Sequence, residues 1–163
     1  MSSDGPSQEL THLDDRGRAK MVDVGDKPTT RRTAVARAVV AMTPATARLL
    51  ADGRLPKGDA LPVVRLAGIQ AAKRTHELIP LCHAVRLDTV DVIVDLDVDA
   101  GQAVIDAEVI AHDRTGVEME ALTAVTVAAL TLYDLVKAVQ RDVVIQDARL
   151  IAKTGGRSGD FRA

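Results

Sequence analysis

With 163 residues, 47% of them hydrophobic, the chain has the size of one domain with a real core, and the absence of Trp makes that core aliphatic. The formal net charge is −2, and the lone Cys82 excludes an internal disulfide. No apolar run approaches the roughly 18 residues that span a bilayer and no signal-peptide pattern is present, so we expect a soluble cytoplasmic protein.

The first elements in chain order are a tail and a short strand. Residues 1–9 are small and polar and are interrupted by Gly and Pro, which predicts a disordered tail before a single domain at residues 10–163. Met21 to Val24 is a strand candidate, followed by turn signals at Gly25 and at Lys27 with Pro28. A helical pattern then follows through Val35, Ala38, Val39 and Met42.

Two further helices are predicted before residue 80. Thr43 and Pro44 begin the first, because Thr is a good N-cap and Pro suits the first helical position, and Gly53 marks its end. The second runs from Asp59 to Ile79, where Pro80 stops it. It contains small residues that permit the close approach of another backbone: Ala67, Gly68, Ala71 and Ala72.

Strands are indicated by a period of two. Val90 to Asp99 alternates aliphatic with mainly acidic residues, which is typical of a half-buried strand. A turn at Ala100 and Gly101 leads to a second alternating segment, Ala103 to Val109, so we expect an antiparallel hairpin. The last strand region consists of Val143 to Ile145 and Leu150 to Ala152 on either side of a bulge.

The stretch from Thr115 to Gln140 predicts one long helix. Thr115 and Glu118 have the spacing of a capping box, which places the helix start at Gly116 and Val117. One face carries an apolar stripe: Leu122, Val125, Ala129, Leu132, Val136 and Val139. The opposite face can meet a ligand or solvent, and it carries Glu120, Thr123, Thr131 and Asp134, with Lys137 at their edge.

The order strand, helices, strand, strand, helix, strand indicates an α+β protein. It matches the ferredoxin-like split βαβ fold, an antiparallel sheet with helices packed on one face. The long strands have one acidic face and can also extend the sheet across subunits. From Arg86 to Asp113 there are eight acidic residues and one basic residue, so the other basic groups lie elsewhere, where folding can gather them around an anion or leave them solvated.

Three short motifs carry weak chemical signals. The glycine-rich segment from Lys153 to Gly159 can surround phosphate oxygens with backbone N–H groups, although a flexible basic tail is the alternative. Cys82 and His83 are neighbours without a third partner, so thiol catalysis is not favoured. The histidines lack ligand spacing, which argues against a metal site: His12, His76, His83 and His112.

Six sequence blocks in order closely resemble the molybdenum cofactor biosynthesis protein C family of cyclic pyranopterin monophosphate synthases. They are KGD at 57–59, AGIQAAKRT at 67–75, LIPLCH at 78–83, TGVEMEALTA at 115–124, YDLVKAVQ at 133–140 and KTGGRSGDF at 153–161. The resemblance covers nearly the whole chain after residue 9. It implies a lyase of molybdenum cofactor biosynthesis, working without a metal or organic cofactor downstream of a radical S-adenosylmethionine enzyme. Its substrate would be 3′,8-cyclo-7,8-dihydroguanosine 5′-triphosphate, and its products cyclic pyranopterin monophosphate and diphosphate.

The resemblance also implies roles for individual residues. Catalytic positions are Asp134, Lys137 and Lys57. Substrate-binding positions are Leu81, Cys82, His83, Met119, Glu120, Lys73, Lys153, Arg157, Arg32 and Glu118. The lysines among these can stabilise charge on phosphate groups, and Asp134, three residues before Lys137 on one helix, can pair with its amine and tune its pKa.

Two residues depart from the family's pattern. Ala84 stands where the family has Pro after the LCH triplet, which leaves the backbone looser. Arg157 stands where the family has Lys, which keeps the charge but cannot easily serve as a base. The alternative function is a non-catalytic, regulatory small-molecule-binding domain of the same fold. RNA binding is disfavoured because the predicted strands carry no aromatic residues for stacking and their polar face is acidic.

The resemblance finally implies a homohexamer, built as a trimer of dimers, with the pocket at the dimer interface. The small-residue run from Ala67 to Ala72, and Ile93 within the acidic strand face, indicate surfaces too apolar for a monomer. Mixing inactive variants at Lys57 and Asp134 is then expected to reconstitute a site if these residues come from different subunits.

Overall fold

The computed structural model describes residues 16–156 and 159–163. Its elements in chain order are β1 (Thr30–Ala41), α1 (Pro44–Ala51), α2 (Leu61–Lys73), α3 (Thr75–Leu78), β2 (Leu87–Asp97), β3 (Gln102–Asp113), α4 (Glu118–Val136), β4 (Val144–Thr154) and β5 (Phe161–Arg162). The predicted disordered tail at residues 1–9 and the predicted site residue Arg157 lie outside the described residues.

The five strands form one sheet in the order β2-β3-β1-β4-β5, and every neighbouring pair is antiparallel. The helices pack on one face of this sheet, where α4 contacts β1, β3 and β4, and α2 contacts α4 and β2. The split βαβ connectivity of the first four strands is that of the ferredoxin-like fold. The predicted fold class is therefore confirmed.

The central strand β1 was predicted as a helix, and that prediction is wrong. Ala34, Ala36, Ala38 and Val40 are fully buried at every second position, while the residues between them are partly exposed. The period is therefore two, and the apolar residues three positions apart that suggested a helix lie on opposite faces of a strand. β1 is held by β3 on one side and β4 on the other, and these long-range pairings decide its conformation.

The predicted strand at Met21 to Val24 is also wrong, because these residues lie outside the sheet. They lead into the predicted turn, which the structure confirms: the backbone N–H of Lys27 donates to the carbonyl of Val24 at 3.1 Å. The segment is thus a loop that the chain follows before it enters β1.

Most of the remaining predicted elements are confirmed. Thr43 caps α1, its Oγ1 accepting from the N–H of Thr46 at 3.2 Å. The β2–β3 hairpin turns at Gly101, where φ is +66° and a Cβ would collide with the carbonyl oxygen of Met42. β4 contains two register shifts against β1, so the predicted bulge is present. The helical stretch before Pro80 is divided at Arg74 into α2 and α3.

Helix α4 is the central helix of the core. Within its predicted apolar stripe, Val125, Ala129, Leu132 and Val136 are fully buried, whereas Val139 lies beyond the helix and is exposed. By length and composition α4 could cross a membrane, but half of its residues are buried inside the fold against the sheet and α2. We therefore interpret α4 as the core helix of a soluble domain.

Small residues bring α2 close to α4. A Cβ added at Gly68 would lie 3.1 Å from the carbonyl oxygen of Ala124 and 3.1 Å from Cγ2 of Val92, and Ala71 and Ala72 are also buried. The predicted close approach is confirmed, but it occurs within one chain. The interpretation of this run as a surface too apolar for a monomer is therefore wrong.

Candidate active site

Three charged side chains meet at the C-terminal end of α4. Nζ of Lys57 donates to Oδ2 of Asp134 at 2.7 Å and to the backbone oxygen of Asp134 at 3.1 Å. Nζ of Lys137 lies 2.5 Å from the other carboxylate oxygen, Oδ1. One carboxylate thus bridges two ammonium groups. We call Lys57, Asp134 and Lys137 the lysine–aspartate cluster.

Local structure explains how the cluster forms. Asp134 and Lys137 are three residues apart at the end of α4 and therefore share a face. Lys57 comes from the loop after α1 and reaches the Asp134 carbonyl in the last turn of α4, where carbonyl groups lack helical partners and a lysine can satisfy them. Two distant segments of the chain are joined in this way.

Electrostatics sets the protonation state of the cluster. Hydrogen bonds from Lys137 and then from Lys57 lower the pKa of Asp134 to about 2. The Asp134 carboxylate in turn raises the pKa of Lys137 above its ordinary value. At neutral pH Asp134 is therefore a carboxylate and Lys137 an ammonium, so this lysine can act as a cation or a proton donor.

Two adjoining cavities lie around the start of α4. One has a volume of about 370 Å³ and the other about 450 Å³. The first is lined by Val22, Val24, Lys27, Leu81, Cys82, His83, Thr115, Gly116, Glu118 and Met119. The second is lined by Lys27, Pro28, Thr30, Arg32, Arg114, Thr115, Gly116 and Gly156. Because three residues line both, we treat them as one site and call it the α4-start pocket.

An ion pair joins β4 to the first turn of α4 in this region. Nζ of Lys153 lies 2.9 Å from Oε1 of Glu118, and both side chains are largely buried. The predicted capping box is therefore wrong, since the N-cap residue is Val117 without a side-chain cap, and Glu118 faces the lysine instead of the helix backbone. Across the pocket, Arg32 is held by the carbonyl groups of Asp113 and Arg114, each at 3.3 Å.

Glu120 is a buried carboxyl group, 3% exposed. The thiol of Cys82 donates to its Oε1 at 3.6 Å, and its Oε2 has no hydrogen-bond partner within the described residues. Burial raises the pKa of Glu120. Burial, and then the nearby Glu120 carboxylate, raise the pKa of Cys82 to about 11. A thiol with so high a pKa is a poor nucleophile at neutral pH, in agreement with the sequence interpretation.

The polar face predicted for the long helix is not a single surface. Glu120 and Thr123 are buried and Asp134 is half-exposed. Glu120 and Asp134 are fourteen residues apart, which corresponds to about 21 Å along the helix axis. The α4-start pocket and the lysine–aspartate cluster therefore lie at opposite ends of α4 in one chain.

Lys73 lies apart from both groups. It ends α2 and lines a cavity of about 200 Å³ beside β2 together with Ile69, Leu87, Asp88, Thr89 and Val90. Among residues 16–156 and 159–163, no group of three or more His, Cys, Asp or Glu side chains could hold a metal ion. His83 instead bonds the carbonyl of Val22 at 2.7 Å, which ties the loop before β1 to the pocket wall.

Sequence reasoning missed two cations of the α4-start pocket, Lys27 and Arg114. Lys27 was noticed only as part of a turn, and Arg114 directly follows β3, so neither belongs to a periodic pattern. The turn signal was present, but only the packing of that loop against the start of α4 shows what it positions.

Comparison with known proteins decides the family. A model of the MoaC family matches residues 21–156. The chain belongs to the MoaC family. Every predicted site residue except Arg157 lies inside the segment that the MoaC family model matches. The resemblance inferred from the six blocks is thereby confirmed.

Relatives of this MoaC family chain match it over nearly its whole length. It is 55% identical to a cyclic pyranopterin monophosphate synthase of Parvibaculum lavamentivorans, over 96% of this chain and 98% of the relative. It is 58% identical to the protein of the same name from Chloroflexus aurantiacus, over 94% of each. It is also 56% identical to human molybdenum cofactor biosynthesis protein 1, over 95% of this chain and 24% of that longer protein.

Proposed function

We propose that this chain is a cyclic pyranopterin monophosphate synthase. It converts 3′,8-cyclo-7,8-dihydroguanosine 5′-triphosphate, supplied by a radical S-adenosylmethionine enzyme, to cyclic pyranopterin monophosphate and diphosphate. The observation that carries this proposal is the identity of 55 to 58% to relatives of that name over nearly the full length of both chains. The alternative, a regulatory domain that binds the same molecule without turning it over, has no such support.

The α4-start pocket has the chemistry of a triphosphate site. Lys27, Arg32 and Arg114 line one of its cavities, so several cations face a space of about 450 Å³. Preorganised cations stabilise negative charge that develops on phosphate oxygens when diphosphate leaves. Gly156 and Thr115 border the same cavity, where short side chains leave room for the phosphate groups.

The ring system of the substrate fits beside this cavity. Leu81 and Met119 supply aliphatic surface, and Cys82 and His83 line the same wall. Among the described residues, Oε2 of buried Glu120 has no hydrogen-bond partner, while Oε1 accepts from the Cys82 thiol that lines the cavity, and this supports a role in hydrogen bonding to the ring. We assign Leu81, Cys82, His83, Met119 and Glu120 to the ring.

The lysine–aspartate cluster supplies the acid–base chemistry. The raised pKa of Lys137 keeps it an ammonium, which can stabilise a developing anion and can give its proton to a strongly basic atom. The Asp134 carboxylate holds Lys57 and Lys137 in one orientation at 2.7 and 2.5 Å. We assign Lys57, Asp134 and Lys137 to the chemical step.

We infer that the active site is shared between subunits. Groups about 21 Å apart cannot act on the same reacting atom, so the two ends of α4 in one chain cannot form one site. Two copies related by a twofold axis, with antiparallel α4 helices, bring the start of one helix to the end of the other and form two equal sites. Lys73 lies apart from both groups in its own chain, so it contributes to a site only if the partner copy brings that site to it.

Exposed apolar side chains support an assembly larger than a dimer. Val63, Leu66 and Leu130 are exposed by 48, 58 and 55% on the helical layer, whereas Ile93 is 49% exposed on the sheet face away from the helices. Two separate apolar surfaces fit two kinds of interface, as a trimer of dimers requires. We propose a homohexamer whose subunits each consist of one catalytic domain, residues 10–163, working in the cytoplasm.

Turnover by the purified protein tests the function. The protein is incubated with the cyclic dihydro-GTP substrate after dialysis against a chelator, and the pterin product and diphosphate are quantified by chromatography. We expect both products in equal amounts. Substrate recovered intact, although bound stoichiometrically in equilibrium dialysis, would establish the regulatory binding domain instead.

A further inference from the structure

Gln140 lies beyond the end of α4 and fastens this end to α1. Its backbone N–H donates to the carbonyl of Val136 at 3.0 Å, which closes the turn after the helix. Its side-chain Oε1 accepts two hydrogen bonds from Thr43, one from the backbone N–H at 2.9 Å and one from Oγ1 at 3.2 Å. The contact joins positions 97 residues apart in the chain.

Thr43 is the N-cap of α1, so its hydrogen bonds to Gln140 hold the first turn of α1 at the end of α4. At the other end of α1 the chain passes through buried Leu55, whose carbonyl accepts from the N–H of Gly58 at 2.8 Å. Lys57 lies within this turn and reaches Asp134. Helix α1, of only eight residues, is therefore tied to the end of α4 before its first turn and again after its last.

A second contact keeps the turn around Gln140 in place. The hydroxyl of Tyr133 donates to the carbonyl of Arg141 at 3.0 Å. Tyr133 directly precedes Asp134, and its carbonyl accepts from the N–H of Lys137 at 2.9 Å. The chain after α4 is thus folded back onto the same turn that holds the lysine–aspartate cluster.

We propose that Gln140 is a positioning residue for the lysine–aspartate cluster, its amide oxygen holding the end of α4 at the start of α1 so that Lys57 reaches Asp134. Gln140 itself touches none of the three charged groups in the described contacts. Its effect on turnover rests on the proposed function, whereas its effect on cluster geometry does not. Small displacements of catalytic groups lower rates strongly, so one tether can matter for turnover.

Two substitutions separate the hydrogen bond from the shape of the side chain. Gln140→Met keeps the length but has no strong acceptor, while Gln140→Glu keeps an acceptor oxygen and places a carboxylate at the favourable N-terminal end of α1. Gln146→Met, at an exposed position in β4, is the matched control. We expect Gln140→Met to lower kcat by about tenfold with KM changed less than twofold, and Gln140→Glu and Gln146→Met to stay near wild type.

The pH dependence of activity separates displacement of Lys57 from a loss of folded protein. A smaller amount of folded enzyme lowers the activity equally at every pH and leaves the shape of the profile unchanged. With Lys57 displaced, Asp134 loses one of its two lysine hydrogen bonds, and its pKa rises from about 2 towards its ordinary value. The pKa of Lys137 stays raised, because Asp134 and not Lys57 raises it. The groups facing this carboxylate are Lys57 and Lys137, with Tyr133 beside Lys137. We expect the activity profile of Gln140→Met to narrow on the acid side, while its alkaline side stays unchanged.

An activity-independent measurement distinguishes failure of this inference from failure of the proposed function. The ¹³Cγ resonance of Asp134 is followed from pH 3 to 6; it should be flat in the wild type and should titrate in Gln140→Met. Titration in the variant supports positioning even if the wild type shows no turnover. If neither the Asp134 resonance nor kcat changes in Gln140→Met, the positioning role of Gln140 is overturned. If Gln140→Met unfolds, Tyr133→Phe, which removes only a hydroxyl, must narrow the acid side of the activity profile for the inference to stand.

Discussion

Nζ of Lys57 lies 2.7 Å from Oδ2 of Asp134, although the two residues are 77 positions apart. Both side chains are about half-exposed, so their ion pair adds little to folding stability. Its consequence is electrostatic, because the hydrogen bond from Lys57 helps to lower the pKa of Asp134 and so to keep it ionised. The Asp134 carboxylate separately raises the pKa of Lys137. Both partners belong to one chain, which changes the complementation experiment expected from the sequence.

Asp134→Asn tests the cluster directly. The amide cannot hold two ammonium groups, so we expect turnover to fall by about 10²-fold or more, with a melting temperature close to that of the wild type. Lys137→Ala should behave alike. The control is Asp147→Asn. Asp147 forms another exposed ion pair, with Arg149 at 3.1 Å, and this variant should retain activity. If Asp134→Asn unfolds more easily but its folded molecules keep full activity, the cluster has a structural role and not a catalytic one.

Mixing inactive variants tests the shared site. Arg32→Ala alters the α4-start pocket and Asp134→Asn alters the cluster, so a mixed dimer contains one intact site of two. After dissociation and reassembly of equal amounts, we expect about one quarter of wild-type activity, since half of the dimers are mixed.

The matched control mixes Lys57→Ala with Asp134→Asn. Because these residues meet in one chain, each site of the mixed dimer retains one defect, and no activity should return. Recovery in this control, or a fully active monomer in light scattering, would contradict the shared site.

Glu120→Gln tests the buried carboxyl group. Its pKa is raised in the folded state, so the wild type loses stability as pH rises from the ordinary value of about 4.3 through the raised value. The amide has no charge to bury, and we expect the variant to be more stable than the wild type at pH 8 by about 1 kcal/mol or more. This advantage should diminish towards pH 4.

Urea denaturation of Glu120→Gln at several pH values measures the effect. Glu108→Gln, at an exposed position in β3, should show no comparable gain with pH. An advantage of Glu120→Gln that stays constant from pH 4 to 8 would show that the charge of Glu120 is not its cause. We also expect weaker substrate binding, visible as a raised KM.

Gly68→Ala tests the contact between α2 and α4. Alanine gains about 1 kcal/mol in helix propensity, but its Cβ would meet a backbone oxygen and two side chains at 3.1 to 3.4 Å. Because the helix backbone cannot yield easily, we expect a net loss of about 1 to 3 kcal/mol in the free energy of unfolding. Gln70→Ala, at an exposed position of the same helix, should be neutral or slightly stabilising. A stabilised Gly68→Ala would show that the helices can separate freely.

Much of the fold follows from local sequence rules. The alternation of Val and Asp is sufficient to predict β2, and Thr43 with Pro44 is sufficient to predict the start of α1. Gly101 likewise predicts the hairpin turn. Each of these signals acts through neighbours within a few residues. Motif resemblance likewise identified the family and all candidate residues on α4. These inferences need no knowledge of the tertiary structure.

The sequence by itself thus determined the fold class, the family and most of the candidate residues, while the tertiary structure decided how they are arranged. Residues 30–41 form β1 because β3 and β4 supply hydrogen bonds on both sides. Glu118 forms an ion pair with Lys153 of β4 and does not complete the predicted capping box. Such partners are more than thirty residues distant, so no local pattern records them. The separation of the two candidate groups along α4 is likewise a property of a rigid helix, whose rise per residue keeps its ends apart.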